Sequence, residues 1–461
     1  MPHLKRRKDL CLTEGPLFAK IFIFAFPLIC TNLLQILYNA ADMIIVGKFS
    51  PVEGAVGAIG STASLINLQI NLLFGIAIGA NVVIANAIGA RDEEGTRCAV
   101  HNALWVGVVC GLLACLVGQL FSKPLLLWMD ADPNLLQMSI RYTKIYFVGA
   151  PFSAVLNYAI AVLRAKGDTK TPLYIMSLSG ILNVILNIVF VAGFGMDVNG
   201  VAWATVISTA VSCFAILICM SKLEDWCKFE IARMKKVDFR IISKMIRIGL
   251  PSGLQSSLFS ISNVFIQRAL NGFGQATITG NSICVNVEGI AYTAANSITQ
   301  AAITFSGQNI GARKYNRIGM LIRDFYASAM LVGIVASLFI FIFHEPLFSL
   351  YIRADDVLRE EVLEAAVVRA YYVILPYCML TFMDVGMGIT RGLGYPTLSM
   401  VISLLGACVF RVVWIFTVFK WFPTLGVLLI SLPISWVLTG GALLISAFWI
   451  RRQYLKKVQA A

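Results

Sequence analysis

Twelve times in 461 residues the chain runs apolar for close to, or beyond, the length of about 20 residues that a helix needs to cross a bilayer. The runs cover roughly 17–46, 55–88, 100–122, 142–163, 172–195, 200–221, 241–268, 277–310, 320–343, 366–390, 396–419 and 426–450. Hydrocarbon offers no water to backbone N–H and C=O groups, so runs of this length satisfy them as helices. The expected fold class is an all-α polytopic membrane protein with about twelve transmembrane helices. Composition agrees, because 58% hydrophobic and 13% charged residues leave too little polar surface to coat a water-soluble globule. No cleavable signal peptide is expected, since the Lys5–Lys8 cluster precedes an apolar run too long for one.

The runs come in two copies. Ile-Gly-Ala-Arg closes the second run at Ile88–Arg91 and the eighth at Ile310–Arg313, with Gly89 and Gly311 222 residues apart. Pro27 and Pro251 are 224 apart, Pro151 and Pro376 225, Arg164 and Arg391 227, Pro172 and Pro396 224, and Gly200 and Gly426 226. The expected division is an amino-terminal segment 1–16, a first six-helix repeat 17–221, a linker 222–240, a second repeat 241–450 and a tail 451–461, the repeats forming two lobes. An even helix count leaves both repeats facing the same way, which is an architecture of alternating-access transporters. The linker "KLEDWCKFEIARMKKVDFR" reads as an amphipathic helix at the inner surface. The doubled motif reads as a helix exit, with glycine turning the backbone and arginine anchoring at the anionic inner leaflet. Pro27, Pro251 and Pro376 read as helix-bending positions, and Gly75 and Gly79 as sites of close packing.

The net charge of +13 does not mark a nucleic-acid surface, because the basic residues are sorted by loop. With the amino terminus inside, 26 of the 37 Lys and Arg residues fall on inner segments and nine on outer ones, among them Arg353, Arg359 and Arg369. That sorting places both termini in the cytoplasm and the Asp355 region outside. Most of the 11 cysteines lie inside apolar runs, and His3, His101 and His344 are scattered, so no metal site is expected beyond one for sodium.

Ionisable groups at membrane depth each need a reason. Asp42 lies near the outer side of helix 1. Asn183 and Asn187 are four residues apart on helix 5 and share a face; Asn187 is 15 residues into that run, roughly 22 Å deep. Thr205 lies at a similar level on helix 6. An aspartate, two amides and a hydroxyl at one depth can form an oxygen-rich pocket for a small cation. They can equally be an interfacial acid plus asparagines that hold helices together by hydrogen bonds. In the second repeat, Glu288 on helix 8 is near the midplane, and an Arg411 side chain from helix 11 can reach it, which predicts an ion pair where the helices adjoin. Asp384 on helix 10 is a second partner for this network, which either fixes the lobe or serves in substrate or proton binding. Gln35, Tyr38, Met43, Phe259, Tyr292 and Met383 are candidates for lining a polyspecific cavity, although each alone also fits ordinary packing.

The chain resembles the multidrug and toxic compound extrusion (MATE) transporters over about residues 15–450. The resemblance rests on "PLICTNLLQILYNAADMIIVG", the paired "IGAR" exits, "RAKGDTKTP", "GILNVILN", "GVAWATVIS" and "FSGQNIGAR", in that order. It implies a secondary antiporter of the cell membrane that exports amphipathic, often cationic organic compounds in exchange for protons or sodium ions, with no cofactor and as a monomer. It further implies that Asp42, 15 residues after Pro27, is the coupling residue, with Asn183, Asn187 and Thr205 around it. The chain departs from the family pattern in carrying Asn187 where that pattern has a second acid on helix 5. The alternative function is a lipid-linked saccharide or lipid flippase of the same broad superfamily. An enzyme is not expected, because no loop holds a cluster of catalytic residue types.

Overall fold

The computed structural model describes residues 11–50, 54–129, 132–352 and 358–459, and the regular elements among them are all helical. In chain order they are α1 Leu17–Phe49, α2 Ala55–Gly89, α3 Glu93–Trp128, α4 Leu136–Val148 with Ala150–Lys166, and α5 Lys170–Asn187. Then come α6 Asp197–Ser221, α7 Phe239–Leu270, α8 Gln275–Gly311 and α9 Tyr315–Ile342. The last three are α10 Arg359–Arg369 with Tyr377–Gly392, α11 Pro396–Ser403 with Phe410–Phe416, and α12 Leu425–Gln459. Eight of these pass for membrane spans by length and hydropathy, and α4 and α10 pass as bent pairs. The remaining two, α7 and α8, are long enough at 32 and 37 residues, but basic residues dilute the first and Thr, Asn, Ser and Gln the second. The Lys5–Lys8 cluster, Arg353 and Asp355 lie outside the described residues.

The duplication extends to the breaks. α4 bends by 46° where Pro151 opens its second segment, and α10 bends by 46° just before Tyr377, at Pro376. A proline lacks the N–H for its turn and its ring crowds the preceding carbonyl, so the ladder yields there. Three helices also contain one wide π turn: Ile188–Gly193 ends α5, Ala370–Ile374 interrupts α10 and Leu404–Val409 interrupts α11. Each lies within two residues of a buried polar side chain, namely Asn187, Arg369 and Arg411. Such turns re-aim side chains and gather at functional positions.

Both Ile-Gly-Ala-Arg exits have one geometry. At α2 the Asp92 N–H donates to Ala87 O at 3.1 Å and the Arg91 N–H to Ile88 O at 3.1 Å. At α8 Lys314 donates to Asn309 O and Arg313 to Ile310 O, both at 3.0 Å. These bonds consume carbonyls that the helix end would leave bare. The residue in the left-handed region is the arginine, with φ 56° at Arg91 and 55° at Arg313, while the glycine is the last helical residue. The sequence reading assigned the turn to glycine; the bond pattern sets it two positions later.

Packing divides the chain into two compact units, one of Pro27–Gly253 and one of Leu12–Phe26 with Leu254–Ala461. The divisions fall inside α1 and α7 rather than in the linker. In the first unit, the opening half of α7 lies on α2 through paired glycines. A Cβ on Gly75 would come 2.2 Å from Gly253 Cα, and one on Gly79 would come 2.0 Å from Met245 O. Gly75 and Gly79 thus meet Gly249 and Gly253, four-residue pairs that let two backbones touch. The linker is not an amphipathic helix: among its described residues only Ile231–Lys235 forms a short 3-10 turn. α3 ties it down instead. Glu230 N–H donates to His101 Nε2 at 3.0 Å, Asp238 N–H to Asn102 Oδ1 at 2.8 Å, and Arg233 reaches Glu94 at 3.0 Å.

In the second unit the start of α1 is held by an edge-on aromatic row, Phe24 to Phe305 at 5.6 Å and Phe305 to Phe325 at 5.3 Å. The strand of chain before it docks on the α8 exit. Asn309 Nδ2 donates to Leu12 O at 3.3 Å, Lys314 Nζ to Thr13 O at 3.1 Å, and Arg317 to Gly15 O at 2.6 Å. The α2–α7 seam sets a clear expectation. Gly79→Val should destabilise the protein by about 1–3 kcal/mol or more, because overpacking here strikes backbone. The check is folded yield and melting temperature after solubilisation, with Gly60→Val, which meets nothing within 4 Å, as the control.

Candidate functional site

In the first unit α1, α5 and α6 bring Asp42, Asn187, Asn183 and Thr205 into one chain of hydrogen bonds. Asn187 Nδ2 donates to Asp42 Oδ1 at 2.5 Å and to Asn183 Oδ1 at 3.2 Å. Asn183 Nδ2 donates to Thr205 Oγ1 at 3.4 Å, and Thr205 spends its own proton on Val201 O at 3.0 Å. The direction is fixed by the ends: a carboxylate only accepts, and a threonine already donating to a carbonyl accepts from its other side. Asn187 is 0% and Asn183 6% exposed. The Asn187 Oδ1 oxygen has no donor, although it is buried. The site therefore sets a carboxylate and an amide oxygen side by side, with more acceptor capacity than donors.

Apolar side chains close around this group. Ile45, Val46, Tyr142, Val191, Val198 and Val201 form a buried cluster with Tyr146 and Val184 packed against it. Sequence reasoning missed Tyr142 and Tyr146, whose rings lie 6.2 Å apart on α4 and whose hydroxyls feel the Asp42 charge. Their four-residue spacing was the available signal, since it puts both on one face. Tyr38, one turn before Asp42, donates to Ser177 O at 3.1 Å, and its ring occupies the space where Gly180 lacks a side chain. Gln35 is exposed and Met43 half-buried.

The second unit holds a different polar set. Arg369 donates to Glu288 Oε2 at 2.8 Å and to Asn281 Oδ1 at 2.8 Å. Arg411 donates through Nε to Ser435 Oγ at 2.9 Å. The Glu288–Arg411 ion pair expected from depth is therefore replaced by Glu288–Arg369. Charge sorting counted Arg369 as an outer-loop cation, whereas it is 8% exposed, at the end of the first segment of α10. Its side chain meets α8 through Asn281 and Glu288, and a π turn and the bend follow it. Asp384 is 5% exposed, with the Arg391 guanidinium as the charge that acts on it. Arg391 in turn donates to Gln255 Oε1 at 2.7 Å, and Gln255 donates to Met387 Sδ at 2.8 Å. Of the remaining cavity candidates, Met383 is buried in this unit's core, Phe259 is half-buried and Tyr292 exposed.

Removing Arg369 strands a carboxylate and an amide in a low-dielectric interior. Arg369→Ala should cost about 3–5 kcal/mol, and adding Glu288→Gln should recover a large part of it. Melting temperatures of the purified single and double variants test this; a double variant no more stable than the single removes the pair.

Three comparisons bear on identity. The MatE family model matches residues 27–189 and 251–417, one match to each repeat. Among curated proteins, the chain is 28% identical over 342 residues to the probable multidrug resistance protein YoeA of Bacillus subtilis, covering 73% of this chain and 74% of that one. It is 23% identical to the multidrug export protein MepA of Staphylococcus aureus, covering 75% and 76%. Among solved structures, an outward-facing multidrug resistance MATE family transporter of the MOP superfamily superposes with TM-score 0.86 at 21% identity, over 98% of this chain and 99% of that one. A Pyrococcus furiosus MOP superfamily transporter, described as having a binding pocket of reverse polarity, superposes with TM-score 0.87 at 21% identity, over 97% and 98%. Helical repeats with matching proline breaks, and a family match to each repeat, make the chain a member of the MatE family of multi-pass membrane transporters, the multidrug efflux proteins.

Proposed function

We propose that the chain is a secondary antiporter that exports amphipathic, often cationic organic compounds by alternating access, in exchange for protons or sodium ions. Asp42 is the coupling residue in this reading. The observation that carries it is the hydrogen-bond chain from Thr205 through Asn183 and Asn187 to the Asp42 carboxylate, beside which the buried Asn187 Oδ1 has no donor. A carboxylate and an amide oxygen side by side offer hard ligands to sodium, and the carboxylate alone offers a site to a proton. Either arrival cancels the one negative charge of the group and weakens its pull on an organic cation. With Asn187 in place of an acid, the site neutralises with a single monovalent ion per cycle.

The names of the curated relatives support the substrate class, and the sorting of basic residues supports placing both termini in the cytoplasm. No prosthetic group is needed for this work, and one chain holds every residue invoked. Asp42→Asn should leave the protein folded and inserted, since an amide can keep the bond network while the charge is gone. It should abolish ion-driven efflux of a fluorescent cation from everted vesicles and reduce resistance in a pump-deficient bacterium to the empty-vector level. Everted vesicles energised in turn by a proton and by a sodium gradient identify the ion. Full resistance from a well-folded Asp42→Asn protein would remove the coupling role. Loss in Asp384→Asn instead would move that role to the second unit.

A further inference from the structure

Three arginines are buried in the second unit, Arg369 and Arg391 at 8% exposure and Arg411 at 3%. Two have an acid to answer them: Arg369 binds Glu288, and Arg391 lies in the field of Asp384. Arg411 has none. Among the described residues its one hydrogen bond is the 2.9 Å contact from Nε to Ser435 Oγ. Ser435 gives its own proton to Leu432 O at 2.6 Å, so it is fixed as an acceptor for Arg411. That leaves the two amino groups at the tip of a delocalised cation without a partner. A hydroxyl can hold an arginine in place, but it cannot supply the counter-charge whose absence costs several kcal/mol in a low-dielectric interior.

The surroundings are short of acceptors rather than donors. Arg411 lies within electrostatic reach of Glu288 and Arg369, so two cations share one carboxylate. Arg369 has spent both terminal nitrogens on Glu288 and Asn281, and its Nε is buried without a partner. Tyr377, 1% exposed, carries a hydroxyl that is also buried without a partner, and Glu288 and Arg369 are among the charges acting on it. The two π turns of this unit lie within two residues of Arg369 and Arg411, so the backbone is irregular next to both. Local irregularity, surplus positive charge and idle donors coincide around one group of side chains.

We infer that Arg411 and Arg369, the two cations around Glu288, form a binding site for the acidic group, carboxylate or phosphate, of an amphipathic molecule, with the Tyr377 hydroxyl near Arg369 as a further donor. The substrate range then extends beyond cations to amphipaths that carry a negative head. Two oxygens of such a head match the planar fork that Ser435 holds in position. Glu288 competes for the same cations and sets the affinity by partly filling the site. The inference rests on the chain being a carrier of amphipaths, but not on Asp42, and binding without an ion gradient tests it separately.

The experiment uses the full chain in nanodiscs of neutral phosphatidylcholine in chloride-free buffer, with hexyl phosphate and hexanoate as probes and tetraethylammonium as the cationic control. Both anions should raise the melting temperature in a saturable way. Arg411→Gln should weaken their apparent affinity at least tenfold without changing the response to tetraethylammonium. Glu288→Gln should tighten it several-fold, and this second variant decides the matter if Arg411→Gln does not fold. Discs doped with phosphatidylglycerol separate the two sources of the acidic head: an Arg411-dependent loss of the hexyl phosphate effect there assigns the site to a lipid phosphate, and its persistence assigns it to a free amphipath. No stabilisation by either anion, an equal response in Arg411→Gln, weaker binding in Glu288→Gln, or an equal effect from chloride alone would overturn the proposal.

Discussion

Inside hydrocarbon a polar atom has to find its partner within the protein, and the rest of this structure follows from that demand. The backbone meets it by forming helices, and the helix ends meet it by recapturing carbonyls, as Asp92 and Lys314 do at the two motif exits. The side chains meet it in two different ways. The first unit answers one acid, Asp42, with neutral amides passed from helix to helix. The second unit answers acids with arginines, and has more arginines than acids.

Much of this was legible in the chain itself. Apolar runs fixed the number of helices because nothing else crosses a bilayer at that length, and the 224-residue offset of Pro27 and Pro251 exposed the duplication. The grouping of Asn183 with Asn187 followed from the pitch of a helix, and their meeting with Asp42 and Thr205 from a common depth. Arg369 was not legible. A charge near the start of an apolar run looks like an interfacial anchor, and only the bend and the π turn beyond it decide that it turns inward. π turns leave no mark in residue type, because they are a slip of one position in the hydrogen-bond ladder. The same is true of the left-handed arginines: the glycine two positions earlier is the residue that composition favours for a turn, yet Arg91 and Arg313 adopt it.

The sharing of α1 and α7 between the units bears on how the protein is made. Gly249 and Gly253, which fill the groove along Gly75 and Gly79, are synthesised only after the whole first repeat and the linker. Until then α2 presents a bare glycine seam to lipid or to the insertion machinery, and the first six helices form a waiting intermediate rather than a finished domain. Phe24 waits longer still, because Phe305 and Phe325 come from the second and third helices of the second repeat. A duplicated gene has thus produced a protein whose packing units do not coincide with its repeats. Each half reserves a place for a stretch of chain that the other supplies, so neither is complete until the second repeat has begun to be made.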